Sequence, residues 1–208
     1  MGRYTGPVCR MCRREGMQLF LKGDRCFMAK CPVQTGRPPP GMHGQRRRKL
    51  SDYGVQLREK QRLRRMYGMQ EGQFQFFFDK ALRKRGVTGE VLLQMLEMRL
   101  DSVVHRLGFS ASLRAARQFV LHGHVLVNGR KATIPSMRLK AGDVVQVRDK
   151  ANSREQARPC MDSAEARGIA PWLTLKKAEF SGEILHIPSR EEIAPIVNEQ
   201  RVVELYSK

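Results

Sequence analysis

Cys9, Cys12, Cys26 and Cys31 are the residues of this chain whose spacing most clearly implies chemistry. They read C-x2-C, then thirteen residues, then C-x4-C, which lets two short chelating loops converge on one tetrahedral zinc ion. Four thiolate ligands would leave no position for a water, so such an ion would hold structure and catalyse nothing. Arg10, Arg13, Arg14, Arg25 and Lys30 lie beside these residues, where they favour the thiolate and offset the negative charge of a tetrathiolate. The same thiols could instead form two disulfides. A redox role for one C-x-x-C pair calls for a strand leading into it, and no strand pattern precedes Cys9. Cys160 stands alone in a predicted helix and reads as a small packed thiol.

The cysteines sit where positive charge is densest. The chain carries 39 Lys and Arg against 20 Asp and Glu, a formal charge of +19, and 17 of these cations, against four acids, fall in the first 70 residues. Such a balance strains a compact protein unless a polyanion screens it. With 208 residues, 41% of them hydrophobic, the chain has material for one large or two small cores. The 7% aromatic content argues against base stacking as a main strategy. No apolar run approaches membrane-spanning length, and the first residues have no apolar leader core. Together with the free thiols, this predicts a reducing, cytoplasmic compartment.

Several elements must position these groups. Residues 36–41, Gly-Arg-Pro-Pro-Pro-Gly, cannot be helical and should run extended into the cation run Arg46-Arg47-Arg48-Lys49. A helix capped by Ser51 or Asp52 runs to Met66 and repeats Arg58, Arg62 and Arg65 on one face. A second, over 71–85, places Phe74, Phe77, Phe78 and Ala81 at core spacing. A third spans 90–100, a short one is capped by Asp101, and another runs from Ser112 to Gly123. Arg114 and Arg117 share a face of that helix, with Gln118 one turn on from Arg114. Strand 125–127 turns through Asn128-Gly129, the favoured two-residue hairpin turn, and a further strand spans 144–147. Residues 149–168 read as one more helix. A rigid helix pair with outward cations suits A-form RNA, whose deep groove hides the base edges and leaves backbone shape to be read.

Residues 99–148, from Arg-Leu-Asp-Ser-Val-Val-His-Arg-Leu-Gly-Phe to Lys-Ala-Gly-Asp-Val-Val-Gln-Val, resemble the small RNA-binding domain named after ribosomal protein S-four. The opening Met-Gly-Arg-Tyr, the Pro-Pro-Gly-Met-His-Gly-Gln linker, Leu57 to Gln61, Val87-Thr88-Gly89, Pro171-Trp172-Leu173 and the ending Val197-Asn198-Glu199-Gln200 extend the likeness to the whole chain. The chain thus resembles the bacterial S-four ribosomal protein family in its four-cysteine, zinc-binding form. One departure is Leu113, where the family usually has Arg or Lys.

The resemblance implies an α+β protein without enzymatic activity. A zinc-bound segment and linker (1–46) precede a helical domain (47–97, joined by 188–208). A two-helix, small-sheet RNA-binding domain (98–161) and a strand-rich extension (162–187) follow. It implies binding to the five-prime domain of 16S rRNA early in small-subunit assembly and contact with ribosomal protein S-five. A place near the messenger RNA entry channel, an influence on decoding accuracy and repression of the protein's own operon also follow from it. Candidate RNA contacts in the N-terminal half are Arg3, Arg10, Arg13, Arg14, Lys22, Arg37, Arg46, Arg47, Arg48, Lys49, Arg58, Arg62 and Arg65. In the small domain they are Arg106, Arg114, Arg117, Gln118, His122 and Lys131. An RNA-modifying enzyme finds no region left over for a catalytic domain, and a zinc-dependent DNA regulator finds no base-reading recognition helix.

Overall fold

A computed structural model describes residues 4–42, 49–193 and 197–207 and divides into two units, Met1–Val91 with Pro195–Lys208 and Leu92–Ala194. Each is held by its own packing.

In the first unit, α1 (Cys9–Glu15) ends on Gly16 at φ 69°, and a 3-10 turn (Gly23–Cys26) follows. Helix α2 (Asp52–Met66) starts where Ser51 Oγ accepts the Gly54 N–H at 3.2 Å. Helix α3 (Glu71–Leu82) buries Phe74, Phe77, Phe78 and Ala81, as their spacing predicts, and ends three residues earlier than residue 85. Its remaining cations, Arg83, Lys84 and Arg85, fall in the exposed connection that follows. Helix α8 (Glu199–Tyr206), capped by Asn198, packs on α2. Tyr206 stacks on Phe78 at 4.5 Å between ring centroids, and its hydroxyl donates to Glu71 Oε1 at 2.8 Å. Burial and this bond to a carboxylate hold the phenol well above its ordinary range. At Glu71 burial likewise pushes the pKa up, but hydrogen bonds from Lys60 and Tyr206 outweigh it and hold the carboxyl low.

Helix α4 (Thr88–Glu97) contains the division between the units. It stops three residues short of the predicted 100, because Arg99 turns extended and forms a bridge with Arg138. The second unit then builds α5 (Leu100–Arg106), α6 (Leu113–Leu121), β1 (Val125–Val127), β2 (Arg130–Ala132), β3 (Val144–Val147), α7 (Ala151–Arg167), β4 (Leu173–Lys176) and β5 (Ser181–Ile184). The five strands form one antiparallel sheet ordered β2-β1-β3-β5-β4. Asn128 and Gly129 take positive φ (49° and 76°), the geometry of the predicted hairpin turn. The Asn128 side chain also accepts the Val144 N–H at 2.9 Å, fastening the turn to β3.

The core gathers Leu100, Val104, Leu107 and Phe109, Val120 of α6, Val125 and Val145 of the sheet, Met161 of α7, and Trp172 and Ile184. Two glycines permit it. A Cβ at Gly108, already at φ +83°, would lie 2.3 Å from Ala164 Cβ of α7, and one at Gly182 of β5 would lie 2.4 Å from Leu107. Helix α7 runs through Pro159, and Cys160 beside it is half-buried, with its Sγ 3.6 Å from Gln156 O. The expectation of a packed thiol there is met only in part.

Between sheet and α7, His124 Nδ1 lies 2.8 Å from Ser153 Oγ, and the imidazole stacks on Phe119 at 4.8 Å. Burial first, then the charges of His122, Arg148 and Lys150, hold its pKa below the ordinary value of 6.5. The unfolded chain therefore binds this proton more readily than the fold does. His124 stability is fully present above pH 6.5 and is lost as pH falls below that value. Thermal melts from pH 8 to pH 5 should show this loss, and His124→Gln should flatten it even if the variant is less stable at pH 8.

Candidate nucleic-acid surfaces and cysteine centre

Glu15 is the only acid before Gly23, at the end of α1, and its side chain is 0% exposed. Three arginines of α2 converge on it. Arg65 Nη1 and Arg58 Nη1 (3.3 Å) donate to Oε1, and Arg62 Nε lies 3.8 Å from Oε2. Arg62 also donates to the Glu15 carbonyl at 3.3 Å and to Glu59, and Glu59 accepts the Asn198 N–H at 3.2 Å. Arg58, Arg62 and Arg65, expected as an RNA-facing row, thus turn partly inward and are 28%, 26% and 21% exposed. The row holds the cysteine segment against α2 and presents only part of each guanidinium to solvent. Desolvation and the neighbouring Arg58, Arg64 and Arg14 lower the pKa of Arg65 despite Glu15.

The cysteine segment packs Val8, Cys12, Leu19 and Leu21 into a core of its own. All four sulfurs are free thiols, with Cys12, Cys26 and Cys31 buried. The Lys22 N–H donates to Cys26 Sγ at 3.3 Å, and the Gln18 amide donates to Cys31 Sγ at 3.3 Å and to the Cys26 carbonyl at 3.1 Å. Such N–H donors stabilise thiolates. Burial, with the neighbouring thiols adding to it, pushes Cys12 and Cys26 up. Cys31 is held below its ordinary value, because hydrogen bonds from Val33, Gln18 and Gln34 and the charge of Arg25 outweigh its burial. The donor set suits zinc, although among the described residues no group of three or more such side chains, as placed, could hold a metal ion.

Of the other N-terminal candidates, Arg13 and Arg14 hold the proline linker, donating to the carbonyls of Pro38 (3.0 Å) and Pro40 (2.8 Å). Arg14 is nevertheless exposed, as are Arg10, Lys22, Arg37 and Lys49. Arg3 and Arg46 to Arg48 lie outside the described residues.

The second unit repeats the device. Asp101, 2% exposed, does not cap its helix. It accepts Arg99 at both oxygens (3.0 and 2.8 Å), Arg117 at 3.3 Å and the Ser102 N–H at 3.1 Å. Arg106 forks onto Glu97, also 2% exposed at its side chain, at 3.0 and 2.6 Å. Arg117, expected beside Arg114 on an RNA face, is 16% exposed and ties α6 to α5. Arg114, Gln118 and His122 follow one another at four-residue spacing and are exposed. Lys131 is exposed and lays its stem over Gly123, where a Cβ would meet Lys131 Cε at 2.3 Å. The outward row of this unit is therefore Arg114, Gln118, His122 and Lys131, while Arg106 keeps 37% of its side chain exposed beside Glu97. Composition made the clusters of cations visible, while the sparse acids Glu15, Glu97 and Asp101 were the sign of which cations turn inward.

Glu15→Gln leaves three part-buried guanidiniums facing a neutral amide, a change that costs about 3–5 kcal/mol where one partner of a buried pair is lost. Urea denaturation should show a loss of that size, and proteolysis should then cut first within 9–31.

Comparison with known proteins agrees with this arrangement. The family model for the ribosomal protein S4/S9 N-terminal domain matches residues 3–97, and that for the S4 domain matches residues 98–145. The small ribosomal subunit protein uS4 of Trichlorobacter lovleyi is 54% identical over 208 residues, covering 100% of both chains. That of Acidithiobacillus ferrooxidans is 53% identical over 208 residues, and that of Thermus thermophilus 52% over 209, again across 100% of both chains. The mixed fold with its small antiparallel sheet, the buried carboxylates that hold its arginines and likeness over the full length lead to one assignment: the chain belongs to the uS4 family of ribosomal structural proteins and is not an enzyme.

Proposed function

We propose that this chain is a structural constituent of the small ribosomal subunit in the cytoplasm that binds the five-prime domain of 16S rRNA and nucleates assembly there. The observation that carries this reading is the set of exposed cations left outward in each unit, while Glu15, Glu97 and Asp101 hold other arginines, in a chain of formal charge +19. Phosphate and 2′-hydroxyl contacts from rows such as Arg114, Gln118, His122 and Lys131 position a protein on RNA without reading its sequence. Two such surfaces on one chain raise each other's effective concentration on a folded RNA. Arg46 to Arg48, which lie outside the described residues, make with Lys49 a run of four cations in the sequence that supplies further positive charge. Contact with ribosomal protein S-five, proximity to messenger RNA at the entry channel, an influence on decoding accuracy and repression of the chain's own operon belong to the same reading.

Zinc belongs to it as well, with Cys9, Cys12, Cys26 and Cys31 as ligands. When bound, the ion supplies a cross-link between the two halves of a segment whose own core is four buried side chains. Gln18 and the Lys22 N–H then hold the sulfurs of Cys31 and Cys26 in their thiolate form.

A transcript of the five-prime domain should bind roughly a thousandfold more tightly than a scrambled RNA of equal length at physiological salt. Equal binding, with both curves collapsing together as salt rises, would refute the assembly role. Each Arg→Ala change within Arg46 to Arg48 should lower the salt slope by about one. Chromophoric titration of metal released by thiol modification should give about one zinc per chain, and Cys26→Ser should give less. A wild-type chain with no zinc would remove that part of the reading alone.

A further inference from the structure

Beside the cationic rows, one exposed aromatic pair lies apart from the core of its own segment. The core of the cysteine segment consists of Val8, Cys12, Leu19 and Leu21, with Met11, Met17, Val33 and Met66 packed around it. Phe20 and Phe27 are not part of it. Burial of Leu19 and Leu21 on either side directs Phe20 the other way, and Phe20 takes φ 51°, the left-handed region that a bulky residue seldom occupies. In that position it stacks on Phe27 with ring centroids 5.2 Å apart and planes at 27°. Phe27 is 54% exposed, and so is Met28 next to it. A strained backbone that presents one ring to support another, half in solvent, is a costly arrangement to keep for packing alone.

We propose that Phe27, backed by Phe20, is a platform on which an unpaired nucleobase of the bound RNA stacks. Charge selects the ligand class. Lys22, Arg25 and Lys30 are exposed within five residues of Phe27 in the chain, and Asp24 is the only acid from residue 22 to residue 30. An aromatic face within such a group of cations offers a base its stacking partner and the adjoining phosphates their counter-charge. The platform binds by π-contact, so it tolerates any base and adds affinity that does not depend on salt. The 3-10 turn fixes the ring's direction: the Phe27 N–H closes on the Asp24 carbonyl at 3.0 Å, and Cys26 immediately before it is buried. The ring is thus fixed by the turn that also buries Cys26.

This inference rests on the chain binding ribosomal RNA, and the experiment separates the two. Wild type, Phe27→Leu and Phe27→Trp are titrated with the five-prime-domain transcript across a salt series. Phe27→Leu keeps apolar bulk without a π face and should weaken binding roughly 5- to 150-fold at each salt concentration, with an unchanged slope. Phe27→Trp should bind like wild type, and the emission it adds over wild type should be quenched by the RNA. Wild-type affinity of Phe27→Leu, or added emission indifferent to RNA, would overturn the platform and leave the ring as a contact for protein. If Phe27→Leu folds poorly, quenching in Phe27→Trp decides the matter by itself. Failure of the wild type to prefer the transcript would refute the ribosomal reading first and the platform with it.

Discussion

Buried carboxylates surrounded by arginines are the constraint on which the rest of this structure depends. Glu15, Glu97 and Asp101 have almost no exposure, and each holds one or more guanidiniums whose other N–H groups face elsewhere. Exposed ion pairs contribute little, because water screens them and long side chains lose entropy. A buried pair differs mainly in what happens when it is broken: the charge left behind has neither water nor partner. In a chain of +19 that asymmetry gives direction to arginines which would otherwise repel one another and splay. Each carboxylate also joins separate stretches of chain, Glu15 linking α1 to α2 and Asp101 linking α5 to α6.

The cysteine segment shows why that constraint was needed. Its hydrophobic cluster is small, and such a cluster rarely holds a fold without a staple. The ion-pair latch through Glu15 and the hydrogen bonds from Arg13 and Arg14 to the proline linker secure it from outside. Donors aimed at the sulfurs of Cys26 and Cys31 arrange it from inside. Removing either set should loosen the other, since both act on the same short stretch of backbone.

Aromatic residues illustrate how composition and placement differ. A low aromatic content argues against stacking when it is taken as an average. Most of the aromatic side chains do serve as core, Phe74, Phe78, Phe109 and Trp172 among them. Phe27 is exposed beside cations and supported by a strained Phe20, so its position carries information that the average conceals. Pro159 is a similar case, because a residue that usually ends helices sits inside α7. Met161 and Ala164, two and five residues beyond it, are still buried, Met161 in the core and Ala164 against Gly108.

Local signals in the sequence determined most of the secondary structure. Ser51, Ser112 and Asn198 cap helices, the phenylalanine spacing of α3 marks its buried face, and Asn128-Gly129 makes the hairpin. These are short-range effects, each decided within four or five residues. The same is true of the cysteine spacing and the charge, which together point to a polyanion. The tertiary structure alone decided which arginines face solvent. Helical periodicity groups Arg58, Arg62 and Arg65, or Arg114 and Arg117, but says nothing of a carboxylate 43 residues away for Arg58 or 16 residues away for Arg117. Likewise, β4 and β5 fall where the resemblance implies only a strand-rich extension, and it is the pairing of β5 with β3 that makes one sheet of five. Hydrogen bonds and ion pairs between distant segments depend on how the chain returns on itself, and a local pattern does not encode that return.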